Sequence, residues 1–198
     1  LFLSDTFNAR REFVRDLCQR IILERLNIRW VANSRIDLLD QETLELMKQS
    51  GCCLLSLGIE SYNQNVHRRN KKYIDTVKID RGLNMIKANN ILSYGYFMIG
   101  LYGDTLRQTM RTVYRSWKSP LDFACFYTVT PYPGTEYYES HKSADPGQYY
   151  HGLSTCVNHG RFRPIFLKFA RVCASVLFYA SLRRLRLILR YCIKGKLC

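Results

Sequence analysis

The segment LLSLGIESYNQNV, residues 54–66, reads as an apolar strand from Leu54 to Leu57 that runs into Gly58 and buries Ile59. It then presents Glu60 and Ser61 where a helix should begin. Upstream, Asp40 is placed to cap a helix, DQETLELMKQSG, with Glu42 and Glu45 in its first turns and Gly51 closing its end. Before that lie a strand in NIRWVANSR and a helix over Asn8–Arg25, whose Phe13, Val14, Leu17, Cys18, Ile21 and Ile22 form one stripe with Asn8 as the expected N-cap. LFLS, residues 1–4, reads as a further strand with no leading turn. Downstream the pattern repeats: a helix over Asp75–Asn90, a strand in ILSYGYFMIG, a helix over Asp104–Trp117, and a strand in LDFACFYTVTPYPG ended by two prolines and a glycine.

Strand and helix therefore alternate five times. Apolar strands separated by amphipathic helices indicate βα units and a parallel sheet, either open or closed towards a barrel. In such sheets ligands bind at the carboxyl ends of the strands. The residues found there are Ser4-Asp5-Thr6, Ser34-Arg35-Ile36-Asp37, Gly58-Ile59-Glu60-Ser61, Gly100–Thr105 and Thr130–Thr135. This rim of carboxylates, one guanidinium, hydroxyls and glycine turns suits a ligand with an amino group, a carboxylate, ribose hydroxyls and a flat base. Taken singly, the same residues also serve as helix caps and turns; five strand ends together favour a binding rim.

Composition sets the outer bounds. With 198 residues, 47% of them hydrophobic, the chain has enough apolar material for a single-domain core. The net charge of +14 is uneven: residues 1–142 carry 20 basic and 15 acidic side chains (+5), and residues 143–198 carry 10 and 1 (+9). Eight cysteines fall mostly within apolar runs, with no CxxC or Cys/His spacing, so no metal site is written in this chain and a reducing, cytoplasmic setting is expected. No apolar stretch reaches the ~18–20 residues that span a bilayer; the longest, Val172–Leu182, reads as a buried or interfacial helix. His67, His141, His151 and His159 lack ligand spacing, and the tyrosines after the Pro-Gly turn read as cover for the sheet and linker.

The motifs FLSDTF, IRWVANSRID, ELMKQSGCCLLSLGIES, YGYFMIGLYGDT and TVTPYPGT, in that order, resemble the radical S-adenosylmethionine (radical SAM) enzymes, and most closely their branch with a cobalamin-binding domain. The resemblance covers about Leu1 to Tyr138, and RFRPIF at Arg161–Phe166 resembles the start of that branch's helical tail. It implies a partial parallel (βα) barrel, strands two to six over residues 1–142, followed by a linker and basic amphipathic helical tail over 143–198. It also implies a 4Fe-4S cluster held by a CxxxCxxC loop, SAM bound to that cluster, a 5′-deoxyadenosyl radical, and methylation or a related reaction on a small-molecule substrate. Cobalamin and an electron donor such as ferredoxin or flavodoxin belong to the same expectation.

By position, the resemblance puts Asp5 near the methionine amino group and Arg35 near its carboxylate. Glu60 with Ser61 falls at the ribose hydroxyls, Lys71 or Lys72 at the carboxylate, and Gly100, Thr130 and Pro131 at the adenine. The chain departs from the pattern in lacking CxxxCxxC, whose place would precede the first strand, so a fragment inactive by itself is expected. Ser4, Tyr102 and Asp104 stand where the branch usually has Asp, Pro and Glu. The competing readings are a non-catalytic α/β nucleotide-binding remnant and a peripheral membrane adaptor acting through the tail. For the tail itself, packing on the sheet with a solvated basic face is favoured over an anionic, lipid-like surface, and nucleic acid is disfavoured because no aromatic platform interleaves the basic residues.

Overall fold

The computed structural model describes residues 2, 4–72, 74–130, 134–139 and 164–194. Four strands, β1 (Trp30–Ser34), β2 (Cys52–Glu60), β3 (Leu92–Ile99) and β4 (Phe123–Thr128), form one parallel sheet in the order β1-β2-β3-β4. Helices α1 (Arg11–Leu23), α2 (Gln41–Gln49), α3 (Gln64–Arg69), α4 (Thr76–Ala88) and α5 (Leu106–Lys118) precede or connect them. A short α6 (Glu136–Glu139) follows β4, and α7 (Pro164–Tyr179) and α8 (Leu182–Lys194) close the order. Of the expected first strand, Phe2 makes one parallel bridge to Ala32; Leu1 and Leu3 lie outside the described residues, as do residues 143–163.

Local chemistry explains most boundaries. Asp40 accepts from the Thr43 amide at 3.0 Å, Asp75 accepts from the Val77 amide, and Thr105 forms a capping box with Gln108. The start of α1 corrects the sequence: its N-cap is Arg10, without a side-chain bond, and Asn8 is buried elsewhere. The helix expected to begin at Glu60 and Ser61 is α3, and it starts at Gln64. Asn63 caps it by accepting from the Asn65 and Val66 amides.

Strand side chains alternate between two faces. Trp30, Ala32, Leu55, Leu57, Phe97, Ile99 and Phe126 enter the core beneath the helices, and Asn33, Ser56, Gly58, Glu60, Tyr94, Tyr96 and Tyr127 lie on the half-exposed side. Cys52 and Cys53 take opposite faces as their adjacency requires; Cys52 is buried and free, whereas Cys53 is disulfide-bonded.

The tail packs on the sheet through α7, whose Leu167, Ala174 and Phe178 are buried. Arg184 corrects the reading of the tail as a uniformly solvated basic face. It is 1% exposed and lies over the Phe178 ring. Its guanidinium donates to the carbonyls of Ser116, Trp117, Ser119, Leu121 and Phe178 at 2.9–3.3 Å. Three of those carbonyls belong to the last turn and cap of α5, where unpaired acceptors and the negative end of the helix dipole favour a cation. Burial, helped by Arg183, pulls its pKa down to about 10, still well above neutrality, so the group stays charged.

Candidate functional site

The first register irregularity in the right place is at the end of β2. Pairing with β3 slips between Gly58 and Glu60, and the strand alternation holds through it: Ile59 is in the core and Glu60 shares the half-exposed face with Ser56 and Gly58. Glu60 has φ 63°, in the left-handed region that Gly or Asn would adopt more cheaply. Such a conformation costs about 1–3 kcal/mol and is retained only where the surroundings fix it.

Around Glu60 lies a cleft of about 450 Å³ at the carboxyl ends of β1 and β2. Asp5 and Thr6 line it from the edge, Ser34 and Arg35 from the end of β1, and Lys71, Lys72 and Ile74 from the loop after α3. Its floor includes Ser56, Gly58 and Tyr96. The volume is within the range of small-molecule sites.

Four of the charged residues lining the cleft, Glu60, Lys72, Lys71 and Arg35, are paired. Glu60 Oε1 accepts from Lys72 Nζ at 3.0 Å and keeps only 16% of its side chain exposed. Lys71 Nζ reaches Glu136 at 2.5 Å. Arg35 donates through Nε and Nη2 to the two oxygens of Asp37 at 3.1 and 2.8 Å, an engagement that raises its pKa further and fixes one edge of the guanidinium. Asn8 clamps the Arg35 backbone: its Nδ2 donates to the carbonyl and its Oδ1 accepts from the amide, both at 2.8 Å. The residue expected as a cap thus positions Arg35, and sequence spacing gave no sign of it. Ser34 lines the cleft, and its Oγ is buried without a hydrogen-bond partner on the strand face it shares with Trp30 and Ala32.

Of the residues singled out from sequence, Asp5, Arg35, Glu60, Lys71 and Lys72 meet in this cleft. Ser61 does not line it: its hydroxyl is buried, within 3.1 Å of Thr112 Oγ1, and accepts from the Asn63 amide, tying β2 to α5 and α3. Gly100, with φ 84°, is approached closely by Leu167 of α7. Thr130 is buried and its hydroxyl lies 3.4 Å from the Thr128 carbonyl. Pro131 lies outside the described residues. Ser56 and Tyr96 were missed, although Ser56, Gly58 and Glu60 follow the two-residue period that puts them on one face.

His67 closes the region from behind. It is buried, and its Nε2 is 2.6 Å from the Ser61 carbonyl, so Nε2 carries the proton and Nδ1 is bare. Burial lowers its pKa against the opposing pull of that bond, with Glu60 and Lys72 as the nearby charges. A depressed folded-state value means the unfolded chain binds the proton more tightly. His67's contribution is then fully present above about pH 6.5 and lost as pH falls from there through the lower folded-state value. Wild type is expected to lose more of its Tm between pH 7 and 5 than His67→Gln, as thermal melts across that range would register; parallel curves would remove the assignment.

No group of His, Cys, Asp and Glu among the described residues could hold a metal ion. The cleft therefore offers donors for a zwitterionic small molecule and none for an iron–sulfur cluster. A parallel partial-barrel sheet with a mixed-charge cleft at its carboxyl edge defines the class of protein.

The Radical SAM superfamily model matches residues 1–113, and the chain belongs to that superfamily. It is 31% identical over 138 residues to an uncharacterized methyltransferase of Pyrococcus horikoshii, 70% of this chain and 30% of that protein. It is 28% identical over 143 residues to the bacteriochlorophyllide d C-12(1)-methyltransferase of Chlorobaculum tepidum, 71% of this chain and 31% of that protein. The chain thus spans about three-tenths of the length of these curated relatives. In fold it is similar to a radical S-adenosylmethionine methyltransferase of Kitasatospora setae solved with cobalamin and a 4Fe-4S cluster. The TM-score is 0.59 at 16% identity, covering 64% of this chain and 25% of that one. It is likewise similar to coproporphyrinogen III oxidase of Escherichia coli, with a TM-score of 0.60 at 14% identity over 84% of this chain and 36% of that one.

Proposed function

We propose that the cleft binds S-adenosylmethionine and that this chain is the SAM-cradling part of a radical SAM methyltransferase. The observation that carries the proposal is Glu60, a carboxylate held at a left-handed backbone position beside the β2 irregularity and lining the cleft. SAM is a zwitterion with ribose hydroxyls, and the cleft supplies both signs of charge in part-exposed pairs whose members can exchange partners with it. Glu60 accepts from the ribose hydroxyls while keeping Lys72. Asp5 takes the ammonium group. Arg35, held in place by Asn8 and along one edge by Asp37, turns its remaining N–H groups to the carboxylate, with Lys71 or Lys72 as a second partner.

An iron–sulfur cluster beside SAM so bound would supply the electron for its reductive cleavage. Ligands for such a cluster are not among the described residues, and no step is assigned to them. For the whole protein, the methyltransferase relatives support methyl transfer to a small-molecule acceptor, with an external electron donor. The cobalamin-bound fold neighbour supports cobalamin as a further cofactor.

Glu60→Gln removes the charged acceptor and keeps the shape. It is expected to weaken SAM binding by about 1–3 kcal/mol, roughly 5- to 150-fold in Kd by calorimetry. Glu60→Asn, which suits φ 63°, is expected to lose the same affinity yet leave Tm within about 2 °C of wild type. Unchanged Kd in both variants would leave Glu60 as a partner of Lys72 alone.

A further inference from the structure

Helices α5, α7 and α8 carry most of the molecule's uncovered apolar side chains. Thirteen of the twenty exposed large hydrophobics among the described residues are on these three helices. On α7, Ile165, Phe169, Val172 and Val176 follow helical spacing and lie opposite the buried Leu167, Ala174 and Phe178. On α8, Leu182, Leu185, Leu189 and Ile193 lie opposite Arg184. On α5, Leu106, Met110, Tyr114 and Trp117 form a third exposed stripe. α5 packs against α7, and Arg184 binds the carboxyl end of α5, so the three helices are neighbours on one side of the molecule.

The charge on these helices is one-sided. They contain no Asp or Glu, against four Lys or Arg in α5, two in α7 and five in α8. Arg184 is buried, Arg115 is paired with Asp80 and Arg183 faces Asp122; the others include Arg186 and Arg190, which at 100° per residue flank the apolar stripe of α8 along one side. Lys118 stacks on Trp117 at 4.5 Å, an arrangement suited to a wet, charged boundary. Apolar stripes facing away from the packed side, bordered by cations on helices that carry no acidic residue of their own, are the pattern of helices lying in an anionic bilayer interface. No single helix among the described residues is long and apolar enough to cross a membrane; α7 and α8 qualify only as a pair bent by 84°. Nucleic acid would use the cations and leave the leucines and isoleucines unexplained, and an apolar protein partner would leave the cations unopposed.

We infer that this face docks on a membrane surface rich in anionic lipid, with α7 and α8 lying in the headgroup region. The inference is independent of the SAM reading. It is tested by flotation of the chain with phosphatidylcholine vesicles and with vesicles of equal parts phosphatidylcholine and phosphatidylglycerol. Binding is expected only to the latter and is expected to fall as salt is raised. Arg186→Glu with Arg190→Glu is expected to weaken it at least about 30-fold, from about 1 kcal/mol per cation at the surface. Phe169→Ser with Ile193→Ser is expected to weaken it also, with the salt dependence retained. All four positions are solvent-facing, so unchanged melting temperatures would show the variants folded. Equal binding to both vesicles, no binding at low salt, or binding untouched by both pairs of substitutions would overturn the inference. Self-association through this face in place of flotation would do the same and make it a contact between proteins.

Discussion

Arg184→Met is expected to lower stability by about 3–5 kcal/mol, because it removes five donors from a site where every acceptor is a backbone carbonyl. Methionine fills much of the volume and keeps contact with Phe178, so the loss measures unsatisfied carbonyls in preference to a cavity. The carboxyl end of α5 would be left buried with no cap beyond its own last turn. For a chain of this size the change corresponds to a fall in Tm on the order of 10 °C. Arg184→Lys is expected to recover only part of it, since an ammonium offers three donors and cannot spread them over five carbonyls. Arg186→Met, one turn-face away and exposed, is expected to shift Tm by less than about 2 °C. Equal melts for the Arg184 and Arg186 variants would mean that the tail is held by α7 alone.

Gly51→Ala is the second large effect. Gly51 has φ 96°, and a Cβ there would stand 2.0 Å from the Ile28 carbonyl oxygen, a backbone atom that cannot swing away. The same glycine ends α2, and its carbonyl accepts from the Trp30 amide at the start of β1, so strain would reach the strand that carries Ser34 and Arg35. A left-handed backbone and a steric overlap together are expected to cost about 3–4 kcal/mol, readable as a lowered denaturant midpoint with unchanged m-value. Gly134→Ala is a control for the backbone term: φ there is 86°, and no atom lies within 4 Å of the added Cβ, so only the cost of the left-handed backbone remains.

What could be read from the chain, and what could not, divides by range. The caps at Asp40 and Asp75 and the stop at Gly51 depend on neighbours three or four residues away, and the sequence carries them openly. The alternation that makes the parallel sheet is similarly local, and it placed Asp5, Arg35 and Glu60 at strand ends that the fold brings into one cleft. Asn8 and Arg184 were misread because each answers to backbone far away in sequence: Asn8 to Arg35, and Arg184 to the end of α5. Helical periodicity assigns Arg184 to the same basic run as Arg183 and Arg186, and only the position of α5 makes it the buried member. Ser61 and Gly100 were singled out because they follow strands, yet the β2 irregularity and the approach of α7 turn them to packing.

The most direct measurement is hydrogen–deuterium exchange of the chain with and without SAM, read peptide by peptide. SAM is expected to slow exchange at residues 33–35, 56–60, 71, 72 and 74, which line the cleft or adjoin its lining, and Glu60→Gln is expected to abolish that protection at the same SAM concentration. Protection confined to other segments, or none at a concentration that saturates binding, would contradict the placement of SAM in this cleft.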